Sequence, residues 1–169
     1  MDEYFNELMN WWSSERPFMP IWGNHEWGNG SDVYADDLRN YKGRFDFPNT
    51  QISPGLSSAS ECPLCGDDWY WFDYGNVRFI AIPEPYSSAT YSDWHTKVGP
   101  IFASAQADSS IDFIITFGHR PSYTTNSAHS SNTQLRSILD TLGITYSKYA
   151  LDFSGHNHAY ERTSELAGK

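Results

Sequence analysis

Cysteine is nearly absent: two residues among 169, close together as Cys62-Pro63-Leu64-Cys65. With no second pair, the four sulfur ligands of a structural zinc site cannot be assembled, and the spacing suits a small loop disulfide. Positive charge is scarce too. Eleven Lys and Arg face 21 Asp and Glu, giving a net charge of −10, and such a chain is repelled by duplex nucleic acid, which is excluded as a partner. No apolar run approaches the roughly 18 residues of a membrane span. The start, Met1-Asp2-Glu3, is acidic where an export signal would carry positive charge before an apolar stretch, so the chain is read as soluble with any such signal already removed.

What is abundant is aromatic: 7 Trp, 11 Tyr and 10 Phe make up 17% of the residues. That proportion is common in secreted hydrolases and in carbohydrate-binding modules, where rings stack on substrates or on one another. The Asn29-Gly30-Ser31 sequon also fits export. A chain of this length buries roughly two thirds of its unfolded surface, enough for one domain with a real core.

Along the chain, Tyr4, Phe5, Leu8, Met9, Trp11 and Trp12 fall at helical spacings, which predicts an amphipathic helix over 2–14. Residues 18–22 form a short apolar run ending at Gly23, suited to a buried strand. Residues 46–68 are rich in proline, glycine and serine and read as a loop insertion. Two strands, 69–74 and 77–83, flank the turn dipeptide Gly75-Asn76. Residues 91–109 are weakly helical with Gly99-Pro100 expected to break the element, and 111–117 form a continuous apolar strand. Leu135, Ile138, Leu139 and Leu142 mark a helix closed by Gly143, and 149–153 form a last strand. Alternation of strands with helical segments gives the α/β class, and such sheets place their sites at the carboxyl ends of strands.

Three apolar segments run into glycine-led sequences: Gly23-Asn24-His25-Glu26, Gly118-His119 and Gly155-His156-Asn157-His158. Imidazole and amide oxygen are ligands suited to Zn, Fe or Mn, and glycine lets the backbone turn tightly into a site. These sequences, in this order, resemble three motifs of the calcineurin-like metallophosphoesterases, and the run through Ala159-Tyr160-Glu161-Arg162 is similar to the purple acid phosphatase branch. The resemblance covers residues 18–163 in one domain spanning 1–169. It implies a two-sheet sandwich flanked by helices, incomplete at the N-terminus, and secretion to the extracellular space or periplasm.

It further implies that Asn24, His119 and His156 hold one metal while His158 serves its neighbour in a dinuclear site. His25 would bond the substrate phosphate and protonate the leaving alkoxide, and His129 is a second candidate for contacting phosphate. Glu26 and Asp152 would have structural roles, and Glu161 and Arg162 would pair to lock the loop after the last motif. The family's carboxylate motifs, D-x-G or D-x-H followed by G-D-x-x-Y, do not precede Gly23-Asn24-His25-Glu26, where the family order puts them. Without them two divalent ions ~3.5 Å apart repel by roughly 20 kcal/mol at an effective dielectric of 20, and neutral Asn and His ligands offset none of it. The resemblance therefore implies hydrolysis of phosphate monoesters or diesters, with this chain alone inactive and holding at most one ion. A missing N-terminal segment or another polypeptide would complete the sheet and site. The alternative is a non-catalytic binding or assembly module on a degenerate fold, which the retention of His25 opposes.

Overall fold

The structure is a computed structural model that describes residues 16–27, 45–53, 68–85 and 87–166. The helix expected over 2–14, the Asn29 sequon and the Cys62 and Cys65 pair lie outside them, as do residues 54–67 of the expected insertion. In chain order the described elements are α1 (Asn24–Trp27), β1 (Trp71–Tyr74), β2 (Val77–Ala81), α2 (Thr90–Ala107), β3 (Phe113–Phe117), α3 (Thr133–Thr145) and β4 (Tyr149–Phe153).

The strands form one sheet in the order β1-β2-β3-β4, with β1 antiparallel to β2 and the other pairs parallel. The α/β class read from the sequence is therefore what the chain adopts, as a mixed four-stranded sheet crossed by two long helices. Gly75 sits at φ +59°, a left-handed conformation that glycine tolerates, and so closes the β1–β2 hairpin. Parallel pairing of β2, β3 and β4 requires a long crossover between each pair, and α2 and α3 supply them.

Pleat alternation sorts the sheet's two faces. Arg78, Ile80, Ile114 and Thr116 are buried on the face that α2 covers, where Trp94, Val98 and Phe102 line up with Leu135 and Leu139 of α3 in one core. The other face carries Phe72, Phe79 and Phe117, with Tyr70 and Phe47 stacked 4.1 Å apart beside them. Full burial of each such ring contributes about 1.5–3 kcal/mol.

Three sequence expectations change here. Gly99-Pro100 does not break the helix: α2 runs through Pro100 for 18 residues, because the buried positions Thr90, Tyr91, Trp94, Val98, Phe102 and Ala105 hold it on the sheet on both sides of the proline. Gly143 does not close α3 but is a buried position inside it, and the helix ends at Thr145 with Tyr146 as its cap. Residues 18–22 enter the core yet join no ladder among the described strands. Trp22 is held instead by its indole N–H on the Asp68 carbonyl at 3.0 Å, and the Tyr70 hydroxyl donates to the Pro20 carbonyl at 2.7 Å.

Candidate metal centre

The carboxyl ends of β2, β3 and β4 lie along one edge of the sheet, and the chain leaving each is tied to its neighbour. The Ile82 N–H donates to the Phe117 carbonyl at 2.8 Å, Gly118 N–H to Phe153 at 2.9 Å, and Gly155 N–H to His119 at 3.0 Å. A Cβ at Gly118 would stand 2.8 Å from Ile82 Cβ, so only glycine lets β3 pass so close to the end of β2. The buried anchor at Trp22 brings Gly23 and α1 to this edge from the far end of the chain.

Three side chains from these separate segments meet. His119 Nε2 lies 2.6 Å from Asn24 Oδ1 and 3.0 Å from His156 Nδ1. Arg120 Nη1 reaches His156 Nε2 at 2.7 Å on the outer side of that ring, and Arg120 is itself fixed by Glu84, whose Oε1 accepts from Nε at 2.6 Å. His156 adopts φ +67°, a left-handed conformation costing of order 1–3 kcal/mol outside glycine, and it is this turn of the chain that carries the His156 ring to His119.

Both rings are held neutral. Burial, then the neighbouring charges of His156 and Arg120, push His119 down to about 4. Burial, then Arg120 and His129, push His156 down to about 4 as well. A neutral imidazole offers one lone pair; Arg120, which can only donate, engages that of His156 at Nε2 and leaves the ring proton on Nδ1, so Nδ1 becomes a metal donor only when this contact is exchanged. Two donors about 2.0–2.1 Å from a tetrahedral ion stand about 3.3 Å apart; the 3.0 Å between ring nitrogens is close to that, while the 2.6 Å from Asn24 Oδ1 to His119 Nε2 is a hydrogen-bond distance that lengthens if both hold one ion. The donor set thus fits a borderline cation. Among the described residues no three His, Cys, Asp or Glu side chains gather to hold an ion; the amide of Asn24 supplies the third donor.

The remaining expected residues are less alike. His129 stacks on His156 with ring centroids 3.8 Å apart and planes at 29°. His25 and His158 are exposed and enter none of the close contacts; the charge each carries when protonated disfavours protonation of His156. Asp152 accepts from Thr116 Oγ1 at 2.6 Å, and burial pushes its carboxyl up to about 7. Glu161 receives Thr124 and Thr125 rather than Arg162, so it locks the loop before α3. Sequence reasoning passed over Arg120 and Glu84. Their signal was position: Arg120 follows His119 directly, and Glu84 follows β2, whose end joins the same edge.

Strings with the letters of the carboxylate motifs do occur later in the chain, as Gly66-Asp67-Asp68-Trp69-Tyr70 and Asp73-Tyr74-Gly75. Their described residues are committed elsewhere. Asp68 is buried and accepts from the Ser53 N–H at 2.6 Å, Tyr70 holds Pro20, and Asp73 pairs with Arg78 at 2.7 Å, at the start of β2 and hence the opposite edge of the sheet.

The family model for calcineurin-like phosphoesterases matches residues 1–160. An uncharacterized protein of Mycobacterium tuberculosis is 29% identical over 169 residues, covering 90% of this chain and 29% of its own length. Purple acid phosphatase 22 of Arabidopsis thaliana is 27% identical over 165 residues, covering 94% of this chain and 34% of its own. Purple acid phosphatase 1 of Ipomoea batatas is 28% identical over 153 residues, covering 87% and 29%. The chain therefore spans about a third of the length of the curated relatives it matches. No solved structure matches it.

Proposed function

This chain belongs to the calcineurin-like phosphoesterase family, and from that premise we propose that it carries the histidine and amide part of a metal-dependent acid phosphatase site acting on phosphate monoesters. The observation that carries the reading is the convergence of Asn24 Oδ1 and His156 Nδ1 on His119 Nε2. Asn24, His119 and His156 would hold one Zn, Fe or Mn ion, with His158 directed to a second. Bound there, the metal supplies Lewis acidity toward a phosphoryl oxygen and a water of lowered pKa.

The other tasks fall to this chain's own side chains. His25, exposed beside Asn24, would give a proton to the departing alkoxide, and His129, stacked on His156, would donate to a phosphate oxygen. Arg120, itself held by Glu84, lies against the outer edge of the His156 ring and fixes its plane. Histidines that stay neutral down to about 4 keep their lone pairs in acid, in keeping with the purple acid phosphatases among the relatives. A location outside the cytoplasm is in accord with the Asn29 sequon and the Cys62 and Cys65 pair.

The neutral donor set contributes no charge to offset a second cation, so the isolated chain takes up one ion and is inactive. Calorimetric titration with Zn2+ is expected to give one equivalent, with His119→Ala raising the Kd at least tenfold, about 1.4 kcal/mol, and His25→Ala leaving it unchanged. Joining a segment that bears D-x-G and G-D-x-x-Y should bring a second equivalent and hydrolysis of a chromogenic phosphate ester. Two tightly bound ions on the chain alone, or an unaltered Kd in His119→Ala, would refute the assignment.

A further inference from the structure

The loop between β3 and α3, residues 121–132, carries His129 and pairs with no strand among the described residues. Its shape is set partly from within: the Asn126 N–H donates to Thr124 Oγ1 at 3.0 Å, Ala128 N–H to Asn126 Oδ1 at 2.8 Å, and Thr124 N–H to Ser131 Oγ at 2.9 Å. The rest comes from the segment after His156. The Glu161 carboxylate accepts from the Thr125 N–H at 3.0 Å, from the Thr125 hydroxyl at 2.6 Å, and from the Thr124 hydroxyl. Asn157 Nδ2 donates to Thr124 Oγ1 at 2.7 Å and to the His129 carbonyl at 3.3 Å.

Thr124 Oγ1 is the hub. A hydroxyl has one proton and two lone pairs, and all three are used, toward Glu161, Asn157 and the Asn126 N–H. In the arrangement that satisfies the hub, the His129 ring lies on His156.

A purely stabilising role accounts poorly for this clasp. Glu161 is exposed, where charged contacts add little to global stability. Asn157 is only 7% exposed, and its Oδ1 has no hydrogen-bond partner among the described residues, a burial that costs about 1–3 kcal/mol. Both residues sit where they fix the height and tilt of one imidazole.

We infer that Glu161 and Asn157 are positioning residues for His129, holding its ring face to face with His156 so that it grips the phosphate of the ester substrate. The inference rests on the reading of His129 as a phosphate contact made under Proposed function. Neither residue touches substrate; they act through Thr124, Thr125 and the His129 backbone.

The test uses the full chain with Zn2+ and inorganic phosphate as the probe, followed by histidine ring resonances in NMR spectra. In the parent chain the His129 ring protons should show the shift of a stacked ring and should move further on phosphate addition. Glu161→Ala should return them toward the position of an unstructured histidine and weaken phosphate binding by about tenfold, with the Zn2+ Kd held within about twofold. Glu161→Gln, which keeps one acceptor oxygen for Thr125, should fall between. If Glu161→Ala loses its circular dichroism, Thr125→Val and Glu161→Gln carry the same comparison. Unchanged His129 resonances in the variants would overturn the clasp, as would equal losses of Zn2+ and phosphate affinity. Failure of phosphate to move His129 in the parent chain would remove its substrate role, and with it this inference, while one-equivalent Zn2+ binding left the metal assignment intact.

Discussion

Gly23 shows how little room the donor cluster leaves. A Cβ there would stand 2.6 Å from His119 Nδ1 and 2.8 Å from the Cγ and Cε1 atoms of the same ring, so any side chain pushes the ring away from Asn24 and His156. Gly23→Ala is accordingly expected to weaken Zn2+ binding at least tenfold, about 1.4 kcal/mol, with circular dichroism unaltered; calorimetry makes the comparison. His156 makes the complementary case, since a strained φ of +67° is tolerated where it delivers a ring to the site. Both glycine-led motifs were visible in the sequence, but not that the Gly23 surface is occupied by a ring 96 positions away.

At the scale of elements, each of β3 and β4 ends in a loop whose histidine joins the cluster, and the helices hold those strands in register. α3 is capped at its start by Asn132, whose Oδ1 accepts from the Leu135 N–H at 2.9 Å, while its own N–H donates to the Pro121 carbonyl at 2.9 Å. Asn132→Ala should therefore cost about 1 kcal/mol, read as a lower urea midpoint with unchanged slope. The elements legible in the sequence were those with clear periodicity: the hairpin about Gly75-Asn76, β3, β4 and the leucine stripe of α3. Those misread were settled by burial. Pro100 is accommodated within α2 because residues before and after it are packed, and the apolar run at 18–22 is anchored by Trp22 and Pro20 rather than by strand pairing.

For the molecule as a whole, the partly buried groups of the site pull stability in opposite directions with pH. His119 and His156 are lowered from the ordinary 6.5 to about 4, so between those values the unfolded chain binds more protons and their contribution to stability grows as pH rises. Asp152 is raised from 3.8 to about 7. Over that range the folded chain binds more protons, and its contribution shrinks as pH rises. Asp152→Asn removes the second effect. In metal-free thermal melts between pH 4 and 8, this variant is expected to gain more stability than the parent from about 4 to 6.5, and a smaller gain would place the Asp152 carboxyl in water.

The family and the α/β class were legible in local pattern, as were the candidate donor residues, because a glycine-led turn after an apolar segment is written in adjacent residues. No helix among the described residues is long and apolar enough to cross a membrane. Only the tertiary structure decided which donors meet. Asn24, His119 and His156 converge because sheet order and the burial of Trp22 bring three distant segments to one edge, whereas His158, two residues from His156, stays exposed. The same holds for the Arg120–Glu84 pair and for the clasp of Glu161 on Thr124 and Thr125. Such contacts depend on distances across the fold, and spacing along the chain does not encode them.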